Sequence, residues 1–394
     1  MKRVYMDYAA TTPVMPEVIE AMATYFHDKF GNPSSIHSMG QEGRDAVEKA
    51  RAQVAALINC PPESVVFTGG GTEADNHAIK GVAFANREKG NHVITTTIEH
   101  HAVLYTCQFL KSMGYDVTFV PVDKYGMVDP ADIKKAITKK TLIVSVMHAN
   151  NEVGTIQPIQ EIGKISREAG VYFHVDAVQS FGHLPIDVDK LGIDLLSASA
   201  HKLYGPKGVG MLYIRPESKI VPLIHGGEQE EGRRAGTENV PGITGFGKAA
   251  EIAQQDMQKE AGALTGYRNR LIETILGKVS DTYLNGHPQQ RLPNNVNFSF
   301  DFIEGESILM YLDAEGICAS TGSACSSASS EPSHVLTAMG IPVERARGSL
   351  RLTMGRWTTN EDVDKVAEAL PRIVGKLREM SPLVKEKCGW INYL

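Results

Sequence analysis

The chain predicts an α/β protein with a mostly parallel central sheet, helices on both faces, and a smaller α/β domain beside it. Three observations carry this. Short apolar runs alternate with longer amphipathic segments from about residue 60 to 215, which is the rhythm of βαβ units. Several of these runs lack in/out alternation, as strands buried on both faces do. Past about residue 240 the rhythm gives way to a long helical stretch and then to shorter mixed elements.

The expected strands are 65–68, 92–97, 117–120, 142–148, 171–176, 195–199 and 208–214. Helices are expected between them at 73–87, 101–113 and 159–169. The later region reads as a helix over 245–278, a strand at 295–300, a helix near 306–315, a loop at 319–330 and helices near 333–340 and 361–379. The matching division is a large domain at 15–255 and a small one built from 1–14 with 256–394. Every residue from Ala319 to Ser330 is small, and such a segment has little to pack, so mobility is expected there.

Composition narrows the function. A chain of 394 residues buries a sizeable core without disulfide or metal staples. With 40 Lys and Arg against 46 Asp and Glu, the net charge of −6 gives no electrostatic case for binding nucleic acid or an anionic membrane. No run approaches the ~18 apolar residues of a membrane span. The start of the chain meets Asp7 before the apolar core of a secretion signal can form. Cys60, Cys107, Cys318, Cys325 and Cys388 are odd in number and include no CxxC pair, which argues against a disulfide framework or a thiolate zinc site. The expected location is the cytoplasm.

Three segments point to chemistry. Phe67-Thr-Gly-Gly-Gly71-Thr72-Glu73 follows a strand and opens a helix, so its backbone N–H groups and the Thr72 hydroxyl suit a phosphate. Gly69, Gly71 and Ala74 also match a dinucleotide-type GxGxxA spacing, and a plain glycine-rich turn is the third reading. Asp176 ends a buried strand, where it suits a cationic partner such as a protonated pyridine nitrogen. It also suits a helix N-cap, or a metal shared with His174. Lys202 lies just past another buried strand, flanked by Ser199 and His201, as a Schiff-base lysine or as a solvated loop lysine before a hairpin. Taken together, a phosphate cradle, an acid for a ring nitrogen and a Schiff-base lysine specify pyridoxal 5'-phosphate.

The chain resembles the cysteine desulfurases of the NifS/IscS type, in the class V aminotransferase group of fold-type I pyridoxal-phosphate enzymes. The resemblance runs nearly end to end. It rests on Tyr8-Ala-Ala-Thr-Thr-Pro13, Gly31-Asn-Pro-Ser-Ser35, Gly71-Thr-Glu73, Glu99-His100, His148-Ala-Asn-Asn-Glu152, Asp176-Ala-Val-Gln179, Ser199-Ala-His-Lys202, Arg233-Arg-Ala-Gly-Thr-Glu-Asn239 and Gly322-Ser-Ala-Cys325. The Ser-Ala-Cys motif marks the long-loop branch, although Ser330 stands where that branch often has Leu.

The resemblance implies a role for each matching residue. Lys202 carries the cofactor, Asp176 keeps its ring nitrogen protonated, and Gln179 bonds its phenolic oxygen. His100 stacks on the ring and shuttles protons. Gly71, Thr72, Ser199 and His201 hold the phosphate. Thr237 reaches the phosphate of the other subunit, which implies a homodimer with shared sites. Asn151 lies near ring and substrate, and Arg351 clamps the substrate carboxylate. Cys325 attacks the sulfur of L-cysteine, alanine leaves, and the Cys325 persulfide passes to an acceptor such as an iron–sulfur scaffold. Cys325 would also share an iron–sulfur cluster transiently with that partner, and no resident metal is expected. Cys60, Cys107 and Cys318 are assigned to structure.

Overall fold

The computed structural model describes residues 3–322 and 332–382. The expected nucleophile Cys325, Ser330 and Cys388 lie outside the described residues.

Twelve strands are formed among the described residues. They are β1 (Val4–Tyr5), β2 (Val65–Thr68), β3 (His92–Thr96), β4 (Asp116–Val120), β5 (Thr141–Met147), β6 (Tyr172–Asp176), β7 (Leu195–Ser199), β8 (Gly210–Ile214), β9 (Thr282–Leu284), β10 (Asn295–Phe300), β11 (Ile317–Cys318) and β12 (Ser349–Thr353). The α-helices are α1 (Pro16–His27), α2 (Ser38–Ala56), α3 (Gly71–Ala85), α4 (His101–Ser112), α5 (Pro130–Ala136), α6 (Ile159–Ala169), α7 (Val240–Lys278), α8 (Gly305–Ala314), α9 (His334–Ala338), α10 (Val343–Arg347) and α11 (Asn360–Met380).

The main sheet has seven strands in the order β2-β8-β7-β6-β5-β3-β4. Pairs β7–β6, β6–β5, β5–β3 and β3–β4 are parallel. The connection from β7 to β8 is too short for a crossover, so β8 runs antiparallel to both β7 and β2. Thus the strand expected at 208–214 exists but is the reversed member of the sheet.

Burial on both faces explains the unalternating runs. All seven residues of β5 are buried. Ile143 faces one core with α3 and α4, while Val144 and Val146 face another with α2, α6 and α7. Helices therefore cover both faces, as the strand pattern implied.

Helix boundaries follow local chemistry. α6 ends at Gly170, whose φ of +67° makes the left-handed cap that favours glycine. α11 opens with a capping box in which Thr359 and Asp362 each accept from the other's backbone N–H. α7 begins earlier than the expected 245, because Asn239 accepts from Gly242 N and Pro241 fits the first turn.

The reading of the sequence omitted α1 and α2: α1 opens at Pro16 after Met15, which makes no side-chain cap bond, and α2 opens after His37, whose ring accepts from Gly40 N. It also omitted β9 and β12, which flank β10 in an antiparallel three-stranded sheet. That sheet packs with α8, α11 and the later part of α7 around a separate core. α7 serves both cores, with Phe246 and Ala253 in the first and Leu264 and Leu271 in the second. The N-terminal strand β1 pairs with β11, and Val4 and Met6 join the second core.

Candidate active site

The carboxyl ends of β2, β3, β5, β6 and β7 converge on one edge of the sheet, where ligands bind in open α/β folds. A cavity of about 290 Å³ lies there, lined by Gly71, Thr72, Asp75, His100, Asn151, Asp176, Gln179, Ser199, His201, Lys202 and Arg351 among others. An adjoining cup is lined by Thr11, Gly69 to Glu73, Ser199, His201, Lys207 and Gly208. A larger hollow of about 640 Å³ around Arg44, Arg51 and Glu228 holds none of the expected site residues.

The cup is a donor site. The N-terminus of α3 points backbone N–H groups into it, and Gly71 permits close packing, since a Cβ there would lie 2.6 Å from Val178 Cγ2. Thr72 and Ser199 add hydroxyls, and His201 Nδ1 lies 3.1 Å from Thr11 Oγ1. Burial, with Lys202 and Lys207 nearby, lowers the His201 pKa to about 4. Glu73 does not oppose an anion freely: its carboxylate accepts from Gly69 N at 2.7 Å and from Arg234 Nε at 2.9 Å. The Arg233-Arg234 pair is thus bonded rather than a solvated turn.

Lys202 projects from the turn after β7. Its Nζ donates to Ala9 O and to Ala10 O, the latter at 2.7 Å, so the N-terminal segment orients the amine. Gln179 Nε2 donates to Ala9 O at 3.0 Å and is held by the same segment. This segment is the contribution that strand periodicity could not reveal, because Tyr8 to Thr12 belong to no regular element.

Asp176 makes a cap bond and also lines the cavity. Oδ1 accepts from Val178 N at 2.9 Å, as a cap does, while the carboxyl lines the cavity. Burial raises its pKa to about 6, against the opposing pull of that N–H and of Lys202. The metal reading fails here: His174 places Nδ1 2.8 Å from Ser145 Oγ and Nε2 2.9 Å from Ser197 Oγ, leaving no ring nitrogen for a metal. No cluster of three metal-ligating side chains occurs among the described residues.

His100 likewise has two roles. It is the N-cap of α4, its Nδ1 accepting from Ala102 N at 3.1 Å, and it lines the cavity. That bond leaves the proton of the neutral ring on Nε2. Burial first, then Lys202, His101 and His334, lower its pKa to about 4. Arg351 Nη1 donates to Asn151 O at 2.9 Å, while its buried Nε has no hydrogen-bond partner among the described residues. Thr237 is exposed and lines neither the cavity nor the cup of its own chain. Burial pushes the thiols of Cys60 and Cys107 up to about 12, so neither is a thiolate near neutral pH.

The sequence reading missed Asp75. It sits one turn into α3, buried and lining the cavity. Its spacing from Gly71 on the helix that opens at the glycine loop was the available signal.

These residues fit pyridoxal phosphate: a donor-rich cup whose Glu73 carboxylate is tied to Gly69 N and Arg234, an amine, a buried acid and a guanidinium nitrogen unpaired among the described residues surround one cavity. The class-V aminotransferase family model matches residues 4–366. The cysteine desulfurase IscS of Dictyoglomus turgidum is 58% identical over 387 residues, covering 98% of either chain. A solved NifS-like protein matches with a TM-score of 0.90 and 39% identity over 95% of this chain and all (100%) of that one. The solved SspA in complex with cysteine matches with a TM-score of 0.80 and 39% identity, over 91% of this chain and 100% of its own. The chain belongs to the class-V aminotransferase family.

Proposed function

We propose that the protein is a pyridoxal-phosphate-dependent cysteine desulfurase. It converts L-cysteine to L-alanine and leaves a persulfide on Cys325 for acceptors such as iron–sulfur assembly scaffolds. The observation that carries this is the meeting of Lys202, Asp176, the phosphate-type cup and Arg351 at one cavity.

When bound, the cofactor supplies an electron sink for the substrate Cα. The cup holds its phosphate through the α3 N-terminus, Thr72, Ser199 and His201. Asp176 faces its ring nitrogen, and Gln179 and Asn151 bond its periphery. Arg351 binds the carboxylate of L-cysteine, and its orphan Nε gives that ligand a partner. Lys202 Nζ takes the Cα proton. His100, which lines the cavity beside Lys202, is the group we assign to moving the second proton.

The Cys325 thiolate then attacks the substrate sulfur. The new S–S bond forms as the substrate C–S bond breaks, and the electron pair stays with the carbon fragment. A proton on that carbon yields alanine. We further assign a large domain at 15–255 and a small one from 1–14 with 256–394. The active form is a homodimer in the cytoplasm, with Thr237 reaching the phosphate of the other subunit.

The test is sulfide and alanine release from L-cysteine with a reductant, on wild type and Cys325→Ser, with the absorbance spectrum recorded. One-to-one products, a visible cofactor band and loss of sulfide in the variant are expected. Equal activity of Cys325→Ser would sink the persulfide step and turn the reading to a lyase or an aminotransferase.

A further inference from the structure

Beneath the cavity lies a buried polar chain that the reaction above does not use. His174 and Asp176 share one face of β6. Ser145 is registered opposite His174, and Ser197 opposite Asp176. The His174 ring bridges the two serines at 2.8 and 2.9 Å. Asp75 descends from α3 onto this chain, its carboxyl bonded to Ser197 and its Oδ1 3.6 Å from His174 Nε2. Ser145, His174 and Ser197 are wholly buried and Asp75 is 1% exposed.

Such groups are costly inside a sheet of Val, Ile and Leu unless each hydrogen bond is met. Asp75 Oδ1 has no hydrogen-bond partner among the described residues, yet Asp75 lines the cavity. The charge of Asp176 also acts on it. Two acids therefore share one floor, and both cannot ionise cheaply.

We propose that Asp75 is a positioning residue for Asp176, a neutral carboxyl on the α3 side that leaves Asp176 as the single negative charge facing the cofactor's ring nitrogen. This rests on the cofactor reading above. The surrounding groups agree. Burial and Asp176 hold the Asp75 carboxyl well above its ordinary range, whereas the Val178 N–H and Lys202 favour ionised Asp176. Glu99, from the loop after β3, is raised to about 8 by burial. His174 and His100, lowered to about 3 and about 4, are uncharged at neutral pH. Lys202 and Arg351 are the Lys and Arg side chains that line this cavity among the described residues, and Arg351 is already paired with Asp7.

Asp75→Asn keeps the shape and neutrality of the protonated acid, and Asp75→Leu removes its polarity. Apo-protein of each is reconstituted with pyridoxal phosphate, and the dissociation constant, the visible band and the melting temperature of the apo form are measured. Asp75→Asn is expected to bind within about threefold of wild type with a superimposable band. Asp75→Leu is expected to bind about tenfold or more weakly, or ~1.4 kcal/mol, with a shifted band and an apo form that melts no lower than wild type. Wild-type affinity in Asp75→Leu overturns the proposal, as does Asp75→Asn binding as weakly as Asp75→Leu. So does an apo Asp75→Leu that melts well below wild type, which would make the residue structural. A wild type that gains no band overturns the cofactor reading and this inference with it.

Discussion

Arg351 Nη2 lies 2.8 Å from Asp7 Oδ1, so the cation at the cavity edge is tied to the N-terminal segment that also orients Lys202. Nη1 is held by the Asn151 carbonyl, which fixes the plane of the guanidinium and leaves Nε toward a ligand. Lysine cannot satisfy Asp7, Asn151 and a carboxylate together, because it lacks the planar fork. Arg351→Lys should raise KM for L-cysteine about 10- to 100-fold, the equivalent of ~1.5–3 kcal/mol for a lost charge-assisted bond. The effect on kcat should be smaller. Initial rates across cysteine concentrations check this, and an unchanged KM would remove Arg351 from substrate binding.

The strands and the chemistry at their ends were legible from the residues because both follow local rules. β5 reads Thr-Leu-Ile-Val-Ser-Val-Met with no in/out alternation, and Asp176 and Lys202 punctuate such runs. What was not legible depends on long-range packing. Nothing local says that Ala9 and Ala10 offer their carbonyls to an amine more than 190 residues away, as the 192-residue separation of Ala10 and Lys202 requires. Asp75 carried a local signal in its spacing from Gly71, but one acid on the first turns of a helix usually serves the helix dipole. The direction of β8 was decided by the length of its connection to β7 rather than by its own residues.

Asp176 makes the stability of the apo-protein fall as pH rises. Its folded pKa is raised from 3.8 to about 6, so the folded chain holds a proton that the unfolded chain has released between those values. Stability is therefore lost as pH climbs through that window, by up to about 3 kcal/mol at ~1.4 kcal/mol per unit. Asp176→Asn removes the titration. The apo variant should gain on apo wild type as pH rises from about 4 to about 6, and the gap should then level off. Urea midpoints at four pH values test this; a constant gap would show that Asp176 is not the titrating group.

The glycine loop depends on an ion pair behind it. Arg51 Nη1 meets Glu230 Oε2 at 2.7 Å and Nη2 meets Oε1 at 3.1 Å, while the same carboxylate accepts from Phe67 N at 3.0 Å. Both side chains are buried, at 9% and 2% exposure, so removing one strands the other charge. Arg51→Met should cost about 3–5 kcal/mol. Replacing both, as Arg51→Met with Glu230→Gln, should recover part of it, because no bare charge remains. Denaturant titration of the two variants against wild type reads the difference directly.

Thr237 gives the sharpest test of shared sites. Within its own chain it is exposed and lines neither the cavity nor the cup, although Arg234 of the same loop is anchored to Glu73 at the cup's edge. If Thr237 acts across the dimer, a hybrid of one Thr237→Ala subunit and one Lys202→Ala subunit holds one site with both lesions and one with none. The intact site joins Lys202 of the first subunit to Thr237 of the second. Differently tagged subunits purified as the hybrid should then run at about half the wild-type rate per dimer, well above either parent, a value that follows from counting sites in a C2 pair. If Thr237 acts within its own chain, no site in the hybrid is whole. Its rate cannot exceed half that of the Thr237→Ala parent, and such a result would remove the shared-site assignment.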